Sequence, residues 1–120
     1  MAKETQRQCE ERPDGDPTTS TEAWLRCTAC GHAIARPASR MSVDGKHVHS
    51  FVNPAGLAFT IACLADAPGC EASGQESTFF TWFPGHAWRI ALCGGCGAHV
   101  GWSFRRDAAG FWGLIVERVA

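Results

Sequence analysis

Two Cys-x-x-Cys pairs, each followed by a glycine, constrain the fold of this chain more than any other feature of its sequence. They are Cys27–Cys30 and Cys93–Cys96, with residues 31–92 enclosed between them. Two thiolates separated by two residues on a tight turn can face one metal ion, and a second pair completes a tetrahedral site. We therefore expect one structural Zn²⁺ held by Cys27, Cys30, Cys93 and Cys96. Four protein ligands leave no open coordination position, so no catalysis is assigned to the metal.

The other cysteines and the nearby histidines leave alternatives open. The chain has seven cysteines, an odd number, and either pair could instead form a redox dithiol or disulfides. The N-terminal residues lack the apolar segment of a signal peptide, and no apolar run is long enough to cross a membrane. We therefore expect the cytoplasm, a reducing compartment that favours metal binding over disulfides. His32 and His99 could each replace one cysteine, although four thiolates already suffice.

The 120 residues predict one small domain with a polar extension. Residues 1–22 are charged and rich in proline, threonine and serine, with no apolar period, which predicts a disordered N-terminal tail. Residues 23–120 are then the zinc-bound ligand-binding domain, and small domains often need a metal for stability. The net charge of −1, with both signs dispersed, gives no reason to expect a nucleic-acid or membrane partner.

Turn signals and short alternating segments predict an all-β fold of two small antiparallel sheets, pinned together at a four-cysteine zinc site. Asp44-Gly45 is a hairpin signal, and the proline and glycine of Asn53–Gly56 suit a β-turn. Strands are expected over Leu57–Ile61 and Phe111–Val116. The small and turn-forming residues of Ala65–Ser77 predict a loop. No segment has a clear helical period.

Aromatic residues are concentrated between Phe79 and Phe104. Residues two apart on a strand share a face, which predicts three groups of co-facing side chains: Trp88, Ile90 and Leu92; Val100, Trp102 and Phe104; and Phe80 with Trp82. A hydrophobic core is the common alternative for such residues. Aliphatic side chains are scarce in this stretch and glycines are abundant, which leaves room for a molecule to approach the rings. We therefore expect an aromatic-walled pocket beside the metal.

No catalytic constellation is evident, so we expect a binding module and not an enzyme. One alternative is a methionine-sulfoxide-reductase-like enzyme, which would need Cys63 or Cys70 as its nucleophile. The other is an aromatic-cage reader of methylated ammonium groups. Residues 77–106 contain no aspartate or glutamate, which favours a neutral ligand over a cation. His47 and His49 are expected on a solvated strand face in preference to a metal site.

Four sequence strings follow one another in a recognisable order: FVNPAGLAF, WFPGHAW, the second Cys-x-x-Cys with the GW that follows it, and FWGL. Together with the two cysteine pairs, they resemble the thalidomide-binding (CULT) domain of the cereblon family over Leu25–Val119. The resemblance implies a β-tent fold, in which two antiparallel sheets meet at a steep angle at a four-cysteine zinc site. It also implies binding of cyclic imides: the glutarimide ring of thalidomide-type drugs, uracil- or uridine-like rings, and C-terminal cyclic imides on proteins.

The same resemblance assigns the ligand-binding residues. They are three cage tryptophans, a phenylalanine at the floor of the cage, two residues of the facing loop and a residue that bonds the imide through its backbone: Trp82, Trp88, Trp102, Phe104, Asn53, Pro54 and Phe80. The backbone of Trp82 also bonds the imide in the family.

Some features depart from the family pattern. Cereblon has a histidine where this chain has Phe80, so a side-chain hydrogen bond is lost while backbone bonds can remain. Ala55 replaces a histidine of the facing loop. The sequence also lacks the Lon-like domain through which cereblon joins a ubiquitin ligase. We therefore expect a single-domain, bacterial-type member without a ubiquitin-ligase partner.

Overall fold

The structure, a computed structural model, describes residues 23–120. The tail expected over residues 1–22 lies outside the described residues. Within 23–120 there are eight strands, one 3-10 turn and no α-helix. The strands are β1 (Leu25–Arg26), β2 (Ala33–Ala35), β3 (Val48–Val52), β4 (Ala58–Leu64), β5 (Cys70–Ser77), β6 (Ala87–Cys93), β7 (His99–Arg106) and β8 (Ala109–Ile115), and the 3-10 turn is Pro37–Ser39.

Strands β3 to β8 form one antiparallel sheet in the order β3-β4-β8-β7-β6-β5, and β1 pairs with β2 in a separate antiparallel ribbon. This confirms the predicted all-β class with two antiparallel sheets, although the two sheets differ greatly in size. The strands predicted over Leu57–Ile61 and Phe111–Val116 correspond to β4 and β8 with shifted ends. Because β6, β7 and β8 are successive neighbours, the aromatic stretch lies at the centre of the larger sheet.

Both predicted turns are confirmed. Asp44 and Gly45 have φ angles of 51° and 80°, the conformation that a two-residue type I′ turn requires. At the second turn, the N–H of Gly56 donates to the carbonyl of Asn53 at 2.9 Å. Gly56 has a φ of 86°, which a residue without a Cβ adopts at no steric cost. This second turn joins β3 to β4.

The loop predicted over Ala65–Ser77 is wrong for its second part, because β5 runs from Cys70 to Ser77. β5 is an edge strand, and its pairing with β6 overrides the low β-propensity of its small polar residues. The pairing is irregular between Ser73 and Ser77, where Gly74 has a φ of 80°. The turn-forming residues therefore occupy a bulge within a strand.

Side chains on opposite faces of the larger sheet build two hydrophobic clusters, as the alternation of side chains along β4 and β8 requires. The metal-side cluster packs against the β1–β2 ribbon, and its buried members are Cys27, Ile34, Ala35, Leu64, Ala67, Cys93, Val100, Leu114 and Val119. The aromatic-side cluster consists of Ile61, Cys63, Phe83, Phe104, Phe111 and Ile115, with half-buried rings that include Trp82, Trp88 and Trp102 packed against it.

A β-bulge at Val100 changes which side chains of β7 share a face. Val100 has no partner on β6, because the pairing passes directly from His99 to Gly101. Val100 is buried in the metal-side cluster, so the prediction that it shares a face with Trp102 and Phe104 is wrong. The same one-residue shift brings His99 onto the face of Trp102, although three positions separate them.

Two further predictions were wrong. Phe80 and Trp82 do not lie on a strand, since residues 78–86 form a connection in which Phe80 has a φ of 55°. His49 is not solvated but only 7% exposed. Its ring stacks on Phe51 with 5.8 Å between ring centroids, because this face of β3 points into the aromatic side of the sheet.

We expect Gly101→Ala to destabilise the fold. A Cβ on Gly101 would lie 2.9 Å from the Cα of Leu114 and closer still to the carbonyl oxygen of Gly113. The backbones of β7 and β8 would have to separate, which lowers the free energy of unfolding by about 1–3 kcal/mol. Urea denaturation measures this loss. Ser103→Ala, two positions along the same strand, is the matched control, and an equal loss in both variants would contradict the prediction.

Candidate functional site

The four predicted metal ligands come together. The sulfur atoms of Cys27, Cys30, Cys93 and Cys96 all lie within 4.8 Å of one another. Cys27 and Cys96 are 3.8 Å apart at Sγ, and Cys30 and Cys93 are 3.6 Å apart. A tetrahedral site with Zn–S bonds of about 2.3 Å has sulfur–sulfur edges of about 3.8 Å. The sulfur atoms therefore have the spacing of a tetrathiolate metal site, and they are too far apart for disulfide bonds of about 2.05 Å.

The two cysteine turns have matching backbone geometry. In the first, the N–H of Gly31 donates to the carbonyl of Cys27 at 2.8 Å, and in the second the N–H of Gly97 donates to Cys93 at 2.8 Å. The two glycines have φ angles of 82° and 79°, which let the chain fold back over the metal position. The N–H of Gly95 also donates to Cys93 Sγ at 3.3 Å, a bond that stabilises a thiolate.

Neither histidine proposed as an alternative ligand belongs to this group of residues. His32 packs closely against the second cysteine turn: a Cβ added to Gly95 would lie 2.8 Å from the Cβ of His32. His99 lies on the aromatic side of the sheet. Within residues 23–120, the four cysteines are therefore the group of side chains that could hold a metal ion.

All seven predicted ligand-binding residues line one cavity of about 420 Å³, a volume within the range of small-molecule sites. Four further residues line it that the sequence reasoning did not assign. The complete lining is Asn53, Pro54, Phe59, Phe79, Phe80, Trp82, Trp88, Ile90, His99, Trp102 and Phe104. Whether these residues contact a ligand stays a prediction.

Hydrogen bonds and ring contacts fix the indole walls of the cavity. Trp88 Nε1 donates to the carbonyl of Phe79 at 2.8 Å, and Trp82 Nε1 donates to the carbonyl of Val52 at 3.3 Å. The rings of Trp82 and Trp102 meet edge to face, with 4.8 Å between centroids and 72° between planes. Because the indoles stand at steep angles to one another, they form walls around a space and do not stack together.

Two phenylalanines pack against these indoles. Phe51 stacks on Trp82 at 4.9 Å and 7°. Phe59 meets Trp102 edge to face at 5.2 Å and 79°. Both come from the β3–β4 hairpin, so this hairpin sets the position of two of the three indoles.

The rim facing the indoles is the Asn53–Gly56 turn. Asn53 Oδ1 accepts hydrogen bonds from the N–H groups of Ala55 at 3.0 Å and Leu57 at 2.9 Å. The side-chain oxygen of Asn53 therefore stabilises the turn, while the two N–H donors of its amide take no part in these bonds.

The opposite rim presents main-chain groups. Phe80 adopts a left-handed φ of 55°, which is rare for an aromatic residue and occurs mostly where function requires it. Within residues 23–120, no hydrogen bond joins the backbone N–H or C=O of Phe80 or Trp82 to another backbone group. Both residues line the cavity, and these backbone groups are left without a backbone partner.

Among the described residues of the lining, His99 has the one titratable side chain. Its Nε2 lies 2.9 Å from the carbonyl of Gly101, so Nε2 carries the proton and Nδ1 is an acceptor. Burial lowers the pKa of His99, the hydrogen bond to Gly101 opposes this effect, and the charge of Arg118 adds to it. His99 is therefore a neutral imidazole at pH 7.

The electrostatic surroundings of the cavity do not suit a cation. Within residues 23–120, no aspartate or glutamate lines it. The charged group packed against it from outside is the guanidinium of Arg118, whose carbon lies 5.9 Å from the centre of the Phe59 ring. Arg118 Nη1 also donates to the carbonyl of His99 at 3.0 Å.

Neither spare thiol of the described residues lines the cavity. Cys63 is fully buried, and its pKa is raised to about 11 by burial and, to a lesser extent, by the charge of Asp44. Cys70 lies on β5 opposite Cys93, beside the metal ligands. A nucleophilic cysteine needs an accessible thiolate, and Cys63 does not have one. Within residues 23–120, no helix is long and apolar enough to span a membrane.

Four cysteines that could hold a metal ion, together with an aromatic cavity, define the class: a β domain with a candidate metal site and a cavity of small-molecule size. No family model matches the chain. Curated proteins named cereblon do match it. The chain is 34% identical to those of Xenopus tropicalis and Gallus gallus, each over 119 residues that are 95% of this chain and 23% of the relative. It is 33% identical to that of Drosophila erecta over 93 residues, 73% of this chain and 16% of the relative.

These relatives show that the chain forms a cereblon-family domain of the CULT type. The chain spans less than a quarter of the length of the curated relatives it matches. The likeness therefore concerns the domain and not the whole relative.

We expect Cys96→Ser to abolish metal binding and folding together. Structural tetrathiolate sites contribute about 10–16 kcal/mol in small peptides, which matches or exceeds the net stability of a small domain. Metal content by mass spectrometry and near-ultraviolet circular dichroism measure the two losses. Cys70→Ser, outside the four-sulfur group, is the control and should keep the metal. A Cys96→Ser protein that stays folded with no metal bound would contradict the prediction.

We expect His99 to titrate below the ordinary imidazole value of about 6.5. Since burial lowers the pKa in the folded state, the unfolded state binds more protons between the two pKa values. The stability from neutral His99 is thus complete above about pH 6.5 and is lost as the pH falls through the folded pKa. NMR titration of the imidazole measures it directly. His99→Asn should reduce the loss of stability between pH 7 and pH 5, and an unchanged pH profile would count against this role.

Proposed function

We propose that the chain is a small-molecule binding module that holds cyclic imides in a cage of Trp82, Trp88 and Trp102. Candidate ligands are the glutarimide ring of thalidomide-type drugs, uracil- or uridine-like rings, and C-terminal cyclic imides on peptides. The observation that carries the proposal is an aromatic cavity of about 420 Å³ whose rim offers unbonded main-chain groups at Phe80 and Trp82. The module binds its ligand and does not transform it.

The chemistry of an imide complements this cavity. The ring is uncharged, its CH₂ groups can contact indole faces, and its polar edge has one N–H between two carbonyls. A polar group left unmatched on burial costs about 1–3 kcal/mol, so the edge needs partners. The backbone N–H and C=O groups of Phe80 and Trp82 can supply both a donor and an acceptor. The loss of the side-chain hydrogen bond at Phe80 is compatible with such backbone recognition.

The size of the ring limits the affinity. A ring of about 8 heavy atoms that gains about 1 kcal/mol per atom has a binding free energy of about −8 kcal/mol. This corresponds to a dissociation constant of about 1 μM.

The metal in this proposal is Zn²⁺ with a structural role. Four thiolates at tetrahedral spacing are the donor set that zinc prefers in structural sites, with no position left for substrate. Zinc would fix the two cysteine turns relative to each other, while the cage residues contact the ligand.

The lining counts against the two rival functions. A methylated ammonium ligand would find no carboxylate among the described lining residues, and the positive guanidinium of Arg118 packs on the lining ring of Phe59. A reductase would need a reactive cysteine at the cavity, whereas Cys63 is buried behind it with a raised pKa. The expectation that the chain does not join a ubiquitin ligase stays a prediction, since the relatives named cereblon are matched over only part of their length.

Titration with uridine and with glutarimide, followed by tryptophan fluorescence, tests the proposal. We expect saturable quenching with a dissociation constant of about 1–100 μM. N-methylation of the imide should abolish it, because the N–H donor is lost and a methyl group would meet the main chain. Trp102→Ala should weaken binding at least about tenfold by removing one wall.

Trp24→Ala is the matched control, because Trp24 does not line the cavity and its ring packs against the guanidinium of Arg36, 5.2 Å from the ring centroid. It should leave the affinity unchanged. A peptide with trimethyl-lysine that binds in preference to uridine would replace the proposed function by the ammonium reader. Thiol-dependent reduction of a methionine sulfoxide substrate, lost in Cys63→Ser, would replace it by the reductase.

A further inference from the structure

The back of the cage strands carries a second cavity of about 520 Å³. Trp88 of β6 and Trp102 of β7 line the cage, so Arg89 and Ser103, one position further along each strand, point to the opposite face. Arg89 lies opposite Ser103 in the β6–β7 pairing, and Ser103 lies opposite Trp112 in the β7–β8 pairing. These three side chains therefore form one row across the sheet.

Two arginines, Arg89 and Arg105, line this cavity. Arg89 is half-buried, and its Nε donates to the carbonyl of Gly74 at 2.8 Å while its Nη2 donates to that of Ala72 at 3.3 Å. These bonds hold the group against the bulge of β5 and use two of its five N–H donors. Arg105 lines the same cavity two residues beyond Ser103 on β7, and it is exposed.

The positive charge of the cavity is not neutralised by ion pairs. Of the described residues that line it, Glu76 is the one acidic residue, against the two arginines Arg89 and Arg105. Within residues 23–120, neither guanidinium makes an ion pair with a carboxylate. A planar guanidinium binds carboxylate and phosphate oxygens through parallel hydrogen bonds. The half-buried ring of Trp112 lies in the same row and offers a surface on which a flat ring can stack.

We infer that this cavity is a second ligand site, for a small molecule that joins a flat ring to an oxyanion. Arg89 and Arg105 bind the carboxylate or phosphate, the hydroxyl of Ser103 bonds it from between them, and Trp112 stacks on the ring. Binding here does not require the cage to bind imides, because the three cage tryptophans do not line this cavity and Phe104 is the one residue common to the two described linings.

The test is an NMR titration of the full chain with adenosine monophosphate, benzoate and inorganic phosphate. At least one of the two ring-bearing anions should bind saturably, more tightly than phosphate alone, and shift the Trp112 indole resonance. Comparing the first two probes distinguishes a phosphate from a carboxylate ligand. Arg105→Gln should weaken binding about tenfold or more, because it removes a charge-assisted hydrogen bond.

Arg106→Gln is the matched control, since Arg106 is the neighbouring arginine on β7, packs near Gly85 and does not line the cavity. It should change the affinity less than twofold. Absence of saturable binding by both ring-bearing anions up to about 10 mM would overturn the assignment. Equal weakening by Arg105→Gln and Arg106→Gln would do so as well, since it would indicate attraction to net charge only.

Discussion

The sulfur atoms of Cys27, Cys30, Cys93 and Cys96 join two parts of the chain that are far apart in sequence. One pair closes the β1–β2 ribbon and the other closes the turn between β6 and β7, the two strands that carry Trp88 and Trp102. The metal-side cluster that includes two of these cysteines covers one face of the sheet, and the three tryptophans Trp82, Trp88 and Trp102 pack against the cluster on the other. The four cysteines therefore help to position the indoles, although the indoles contribute no atom to the candidate metal site.

The central sheet uses both of its faces. Alternation along β7 sends Trp102 and Phe104 into the cage and Ser103 and Arg105 to the back. In a strand of this kind, the substitution of one side chain leaves the other face in place, but a change of register moves both sets together. The bulge at Val100 matters for this reason, because it fixes the register at the point where the strand leaves the metal turn.

The sequence was most informative where a residue type has one common structural use. The paired cysteines indicated the metal site, Asp44-Gly45 and Asn53–Gly56 indicated two turns, and the resemblance to a known family assigned seven residues that line one cavity. Prediction from the sequence failed where the neighbouring strand decides the local structure. β5 is a strand because β6 lies beside it, although its own residues have low strand propensity.

His99 shows why parity alone missed part of the lining. His99 is three residues from Trp102, so in a regular strand their side chains would point to opposite faces of the sheet. Val100 has no partner on β6, and the resulting one-residue shift brings His99 onto the face of Trp102. Phe59 was hidden for another reason, since it lies on β4, far in sequence from the aromatic stretch. Contacts between distant segments of this kind are set by the order of strands in the sheet.

The left-handed backbone of Phe80 has a consequence for how relatives should be compared. A main-chain donor and acceptor are present whatever side chain is attached, so the identity of residue 80 can drift while the polar rim persists. Residue 80 must be able to adopt a positive φ. Amino-acid substitution matrices do not score this property. Similarity in this family is therefore better judged from local backbone angles at this position than from the amino acid found there.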